Sequence, residues 1–248
     1  MAEILGIDVG GTGIKAALVD TETGQLIGER RRLTTPDPST PENIAATVKR
    51  LVDEFDYSGT VGCCFPAVVI DGKARTAGNI DEGWRNTQVD TRFQQTTGLP
   101  FVVLNDADAA GIAEMQLGAG VGLKGMVIMV TIGTGLGSGV FYNGRLIPNI
   151  ELGRMPGKNG DPIEFYAGNR ARKTNDLSWE EWGPRFNYFL ERAARVFSPD
   201  HFILGGGASK MYEQFAKAIK VPTSIHVASF RNNAGIIGAA VAASQKQH

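Results

Sequence analysis

Two stretches of this chain share one pattern of apolar and polar positions. ILGIDVGGTGIKAALVD occupies 4–20 and MVIMVTIGTGLGSGVFY occupies 126–142, and each sets a glycine-rich turn between two apolar runs. Placing Asp8 over Thr131 aligns them at a constant offset of 123, so that Val9 falls on Ile132, Gly10 on Gly133, and Ala16 to Val19 on Gly139 to Tyr142. A polar turn follows in both, TETGQLI in one and YNGRLI in the other. The pattern predicts strand, glycine-rich turn, strand, polar turn, strand, with Asn143-Gly144 a strong hairpin signal. The two halves read as a duplicated antiparallel meander, each followed by helices and further strands.

The rest of the pattern fits that frame. Thr40-Pro41 predicts a helix to about Phe55, with Thr40 as N-cap and Pro41 in the first turn. TVGCCFPAVV and LPFVVLN read as buried strands, and DADAAGIAEMQLG as a helix that starts where the second of these ends. Ser178 and Glu181 form a capping box for a long helix ending before Ser198-Pro199. HFILGG is a strand, GGASKMYEQFAKAI a helix entered through glycines, and NAGIIGAAVAA a final apolar helix. The expected architecture is two α/β domains facing each other across a cleft. They are a smaller domain over 1–105 and a larger one over 106–248, the final helix being free to pack back on the first.

Composition narrows the function classes. The 248 residues are 42% hydrophobic and 21% charged, as in ordinary soluble domains, with a formal net charge of −1. That balance argues against a nucleic-acid partner. There is no apolar run of membrane-spanning length and no secretory leader, so no membrane association and a cytoplasmic location are expected. Cys63 and Cys64 are neighbours in a strand, where successive side chains point to opposite faces. They are expected as small core residues rather than as a disulfide, and two cysteines alone cannot make a zinc site. His201, His226 and His248 show no metal spacing.

A turn without Cβ atoms lets backbone N–H groups approach an anion closely. Neither turn is a Walker A loop, and neither is followed by the helix that a Rossmann fingerprint needs. One such turn alone is as well explained as a plain hairpin. Two in a duplicated frame, the first carrying Asp8, Thr12 and Lys15, point to phosphate.

DVGGTGIK at 8–15, TIGTGLGSG at 131–139 and LGGGAS at 204–209 resemble the three nucleotide-phosphate segments of the actin, hexokinase and sugar-kinase superfamily. That resemblance implies duplicated actin-like (ribonuclease H-like) ATPase domains. LNDADAAGIAE and NIELGR resemble the sugar-binding segments of the family of bacterial repressors, open reading frames and kinases, the ROK family. AGNIDEGW, ELGR, LSWEEW and FSPDHFILGGGASK are similar to its branch that phosphorylates glucose from inorganic polyphosphate.

The resemblance implies roles residue by residue. Donor phosphates would meet Asp8, Gly10, Gly11, Thr12, Gly13 and Lys15 in the first segment. Thr131, Gly133, Thr134 and Gly135 would do so in the second, and Gly205, Gly206 and Gly207 in the third. Asp8 is the candidate to hold Mg²⁺ through water. Asp106 would be the general base for the sugar hydroxyl. On sequence position alone it is equally well an N-cap. Asn79, Asn105, Asp106, Glu151, Glu164 and Arg154 would bind the hexose.

Two departures stand out. Arg154 replaces the histidine that most ROK kinases place after this ELG motif, and the substitution is not conservative. The cysteine-rich zinc motif of many members is missing, so no structural zinc is expected. The donor would be polyphosphate, ATP or both. For a long polyanion the candidate basic track is Arg30-Arg31-Arg32, Arg154, Lys158, Arg170, Arg172 and Lys173. The Arg30 run reads better as solvated charge, because its members alternate faces in a strand. A homodimer follows from the family. The alternatives kept open are an ATP-only hexokinase acting on glucose, mannose or an amino sugar, a sugar-sensing regulator, and a non-catalytic actin-like protein. The regulator needs a DNA-binding segment ahead of the first strand, where only three residues stand.

Overall fold

A computed structural model describes residues 3–78 and 80–246. In chain order its strands and helices begin with β1 (Glu3–Val9), β2 (Ile14–Asp20), β3 (Leu26–Leu33), α1 (Pro41–Val52), β4 (Val61–Phe65), β5 (Val69–Ile70) and β6 (Lys73–Ala74). Next come α2 (Val89–Thr97), β7 (Phe101–Asn105), α3 (Asp106–Leu117), β8 (Met126–Ile132), β9 (Leu136–Tyr142) and β10 (Arg145–Ile147). The chain ends through α4 (Glu164–Ala167), α5 (Asn169–Thr174), α6 (Trp179–Phe197), β11 (His201–Gly205), α7 (Tyr212–Phe215), β12 (Ser224–Val227) and α8 (Ala234–Gln245).

The duplication is real. The first sheet runs β3-β2-β1-β4-β7 and the second β10-β9-β8-β11-β12. In each, an antiparallel meander of three strands is extended by two parallel strands. The offset, however, is not constant. In the first hairpin Val9 pairs with Ile14, and in the second Ile132 pairs with Leu136. The second turn is one residue shorter, so beyond it Ala16 corresponds to Ser138 rather than Gly139. Identical topology with a trimmed turn is the form such a repeat takes when only strand pairing is retained.

The chain divides into two compact units, one running to Ala113 and resuming at Asn233, the other spanning Glu114–Asn232. The division falls inside α3, where the sequence reading drew its line at 105/106. In the first unit α8 lies against the sheet at close range. Gly6 and Gly62 are register partners. A Cβ on either would come within 2.3 and 2.0 Å of the carbonyl oxygens of Ile236 and Ala239. The small residues of α8 and two strand glycines thus let helix and sheet backbones touch. The opposite face carries Leu5, Ile7, Cys63, Phe65 and Val103 against α1, Trp84 and Phe93. Cys63 and Cys64 are therefore split between two faces, both free and buried, as the alternation requires.

In the second unit α6 covers one face of the sheet, its Trp182, Phe186 and Phe189 packing on Ile128, Val130, Phe202 and Leu204. The Ser178–Glu181 capping box opens this helix and Ser198 ends it in the left-handed conformation. The single helix expected after HFILGG is instead three short pieces, a 3₁₀ turn over Gly207–Met211, α7, and a second 3₁₀ turn over Ala216–Ala218. Gly206 at φ +77° is the reason at the entry, because its backbone turns tightly against that of Ile132.

Candidate active site

In the first unit the expected site residues gather at the carboxyl end of β1, β4 and β7, the usual place for a ligand beside parallel strands. Asp8 stands opposite Lys15 on β2 and opposite Cys64 on β4. Opposed residues on neighbouring strands share a face. The Lys15 ammonium meets the Asp8 carboxylate at 2.6 Å, and the Cys64 thiol donates to its other oxygen at 3.4 Å. Gly235 in the first turn of α8 closes over this group, since a Cβ there would touch Cys64 Sγ at 2.9 Å. Burial first, then Asp8, pushes the Cys64 thiol far up, with Asp106 a further contributor. Cys64 is thus a neutral spacer lying near both carboxylates, not a nucleophile.

The turn between β1 and β2 is closed by Gly10 N–H donating to Gly13 C=O at 3.1 Å. Thr35 Oγ1 donates to the Gly10 carbonyl from below, leaving Gly11 and Thr12 exposed at the tip. Arg32 on β3 reaches the same turn, donating to the Thr12 carbonyl at 3.0 Å.

Asn105 and Asp106 are placed differently. Asn105 is buried at the end of β7. Its Oδ1 accepts the N–H groups of Ala107 at 2.8 Å and Asp108 at 3.1 Å, while its Nδ2 donates to Ala67 C=O at 3.0 Å. The helix cap is therefore Asn105, and the sequence could not separate the two. Asp106 is the exposed first residue of α3.

The second unit builds its own cluster around the turn at 133–135. Gly133 N–H donates to Gly135 C=O at 3.2 Å, and Thr134 is exposed at the tip. Glu164, at the start of α4, accepts Leu136 N–H at 3.1 Å. Gly135 leaves room for this carboxylate, because a Cβ would lie 1.9 Å from Glu164 Oε2 and push it away. The ELGR segment is stitched to the same hairpin. Ser138 Oγ accepts Leu152 N–H at 2.9 Å, and Gly153 sits where a Cβ would come within 2.2 Å of Leu136 C=O. These contacts bring Glu151, Arg154 and Glu164 together beside Thr134 and Gly135. Burial raises the Glu151 carboxyl, Arg154 opposes that shift, and Glu164 adds to it. Arg154 Nε lies 3.9 Å from Glu151 Oε2. Gly205, paired with Thr131, brings the third glycine segment against β8.

Not every expected residue can be placed in a site. Asn79 lies outside the described residues. Arg172 of the expected basic track is spent locally. It donates to Asn169 at 2.9 Å and Leu177 C=O at 2.8 Å and lies 4.1 Å over the Trp179 ring. Sequence reasoning named Arg32 only within the Arg30 run, which it read as solvated charge, and passed over Ser138. The signal for Arg32 was its register opposite Lys15, which is invisible until the strands are paired.

The ROK family profile matches residues 4–151. The chain belongs to the ROK family. Among curated ROK relatives, the polyphosphate glucokinase of Mycobacterium tuberculosis H37Rv is 42% identical over 96% of this chain and 89% of its own length. Among solved ROK structures, the inorganic polyphosphate/ATP-glucomannokinase of Arthrobacter sp. strain KM superposes with a TM-score of 0.95 at 41% identity, covering all of both chains. A ROK glucokinase from Streptomyces griseus, solved with glucose and AMPPNP, gives a TM-score of 0.86 at 27% identity over 98% of this chain and all of that one.

Proposed function

We propose that this ROK chain transfers a phosphoryl group from inorganic polyphosphate, and also from ATP, to the 6-hydroxyl of glucose. The observation that carries the reading is the Asn105–Asp106 pair. One residue caps the helix, and its neighbour stands exposed as a carboxylate beside the row that holds Asp8. Relatives named for polyphosphate glucokinase and polyphosphate/ATP-glucomannokinase activity support it.

In this reading Asp106 accepts the O6 proton as O6 attacks the terminal phosphorus of the donor. The O6–P bond forms, the bridging P–O bond breaks, and the electron pair leaves with the shortened polyphosphate or ADP. Asn79, Asn105, Glu151, Glu164 and Arg154 hold the sugar, whose hydroxyls need both donors and acceptors. The glycine turns at 10–13, 133–135 and 205–207, with Thr12, Lys15 and Thr131, hold the donor. Mg²⁺ supplies charge neutralisation of the transferred group when bound. Asp8 fits it as a single carboxylate, because Mg²⁺ takes few protein ligands and fills its shell with water and phosphate.

Charge supports a polyanionic donor. Residues 114–232 hold 14 Lys and Arg against 10 Asp and Glu, while the remaining residues hold 11 against 16. The near-neutral total hides a basic unit. The same reading takes the working form as a cytoplasmic homodimer without structural zinc. A second acceptor, mannose, is favoured by the glucomannokinase likeness together with Arg154 in the sugar set.

The test is formation of glucose 6-phosphate with Mg²⁺ from nucleotide-free polyphosphate and, separately, from polyphosphate-free ATP. Product from both is expected. Product from ATP alone would remove polyphosphate from the reading, and product from neither would overturn it.

A further inference from the structure

The first glycine turn carries one positive charge that the sequence reading set aside. Arg32 stands on β3 directly opposite Lys15, which stands opposite Asp8. All three therefore share one face of the sheet, at the end of the strands where the turn lies. Lys15 has its counter-charge in Asp8, at 2.6 Å. Arg32 has none: among the described residues no carboxylate forms an ion pair with it, whereas its neighbour Arg31 pairs with Glu29 at 3.1 Å and Glu54 at 3.8 Å.

Arg32 is nonetheless fixed in place. One N–H donates to the Thr12 carbonyl at 3.0 Å. The guanidinium lies over Gly13, where a Cβ would come within 2.5 Å of Nε and 2.9 Å of Cζ. Gly13 thus does more than turn the chain, since its missing side chain is the seat of the arginine. A guanidinium has five N–H donors in a planar fork, and the Thr12 contact uses one. What remains is an exposed, oriented, uncompensated cation on the turn expected to hold phosphate.

We propose that Arg32 binds the phosphoryl donor, gripping a phosphate of the phosphoanhydride chain with its guanidinium. The ligand class is a phosphoanhydride chain, whether inorganic polyphosphate or the tail of a nucleoside triphosphate. A planar fork suits a phosphate's paired oxygens better than a lysine ammonium does. The assignment also relieves Lys15 of the main donor contact and gives it the task of orienting Asp8. It rests on the donor site of the proposed function, and it is tested by binding as well as by turnover.

Four variants of the full chain decide it: Arg32→Ala, Arg32→Lys, Gly13→Ala, and Arg31→Ala as the control. Calorimetric titration with tripolyphosphate, without sugar, reads binding alone. Steady-state kinetics with polyphosphate and with ATP read KM for the donor, KM for glucose and kcat. Arg32→Ala is expected to weaken tripolyphosphate binding and raise donor KM by about tenfold or more, the scale of a lost charge-assisted contact. Glucose KM and Tm stay at the wild-type values. Arg32→Lys recovers part of the loss. Gly13→Ala displaces the guanidinium and reproduces the Arg32→Ala donor defect, while Arg31→Ala changes every quantity less than twofold.

Loss with polyphosphate alone, or with both donors, supports the assignment and says which chain the arginine grips. Unchanged tripolyphosphate affinity in Arg32→Ala overturns it, as does an equal loss toward glucose and donor. Wild-type protein that binds tripolyphosphate but phosphorylates glucose from neither donor would sink the proposed function while leaving Arg32 to be judged by binding.

Discussion

Adjacent residues at the start of α3 should fail in opposite ways. Asn105 holds two helix N–H groups and the Ala67 carbonyl while buried. Asp106 is exposed, and the one helix N–H its carboxylate accepts, from Ala107 at 2.8 Å, is also accepted by Asn105. Asn105→Ala removes a cap and orphans buried partners, a loss of roughly 2 kcal/mol or more. At this chain length that lowers Tm by roughly 4–8 °C. Asp106→Asn keeps the shape and removes a carboxylate from the first helical turn, a loss of roughly 0.3–1 kcal/mol. Its Tm should move by no more than a few degrees. Removing a general base costs a factor of roughly 10²–10⁴ in rate. The assay pairs kcat for glucose phosphorylation with thermal unfolding and with glucose binding followed by tryptophan fluorescence. Asp106→Asn should bind glucose, melt close to wild type and turn over at least a hundredfold more slowly. A variant within tenfold of the wild-type kcat would remove Asp106 as the base. One that melts lower than Asn105→Ala would show that the division of labour between cap and base is wrong.

Three further outcomes follow from the second cluster and the core. Gly153→Ala forces a methyl to within 2.2 Å of the Leu136 carbonyl oxygen, and because that oxygen is backbone and the methyl is fixed to its own backbone, the 133–136 turn and the 152–154 segment must shift apart. A displacement near 1 Å lowers kcat/KM roughly a hundredfold with the circular dichroism spectrum retained, and wild-type kinetics would refute the coupling. Burial and Glu164 raise the Glu151 carboxyl against the pull of Arg154. With a folded pKa above the unfolded one, its stabilising contribution is full below the ordinary value of 4.5 and is lost as pH rises through the folded pKa. Glu151→Gln should therefore gain stability over wild type from weakly acid to neutral pH, and parallel Tm curves for the two proteins would contradict this. The Cys63 and Cys64 thiols are pushed up by burial and by Asp8, so neither should react with a disulfide reagent at pH 8 until the protein unfolds. Fast labelling of the native chain would refute that burial.

Most of the first sheet and its helices were legible because period and punctuation agreed. Thr40 caps α1 through Asn43 N–H at 3.3 Å, and the Ser178–Glu181 box closes as written. Elements that bury little left little signal. Only Val89 and Phe93 of α2 are buried and its N-cap has no side-chain bond, so nothing in its sequence marks it strongly. β12 is an edge strand with both ends exposed. Among site residues, the motif-borne ones could be named, but their division of labour could not. Which of Asn105 and Asp106 caps the helix, and which cation meets Asp8, depend on side-chain geometry rather than on residue type. Alternation along β3 correctly separated Arg31 from Arg32, yet it also led to dismissal of the whole run. Alternation says that two side chains part company; it does not say that one of them returns to a glycine turn.

The repeat itself explains why its two turns need not do the same work. Strand pairing is duplicated, but the residues on equivalent rows have diverged. Across the first sheet the row through Asp8 reads Arg32, Lys15, Asp8, Cys64, a line of charge next to a thiol. Across the second the row through Thr131 reads Gly137, Thr131, Gly205, with no ionisable group. The first turn spans four residues and bears an arginine; the second spans three and is braced by Glu164. Under the proposed function, the cation on the first turn would compensate donor charge, whereas a turn of small residues offers exposed backbone N–H groups. Exchanging the characters tests the asymmetry. Thr131→Asp would copy Asp8 into a row with no lysine to meet it, and it should weaken tripolyphosphate binding. Lys15→Ala should weaken it less than Arg32→Ala does, because Lys15 already answers Asp8. Equal losses in Lys15→Ala and Arg32→Ala would mean that the pair, not the arginine, carries the donor charge.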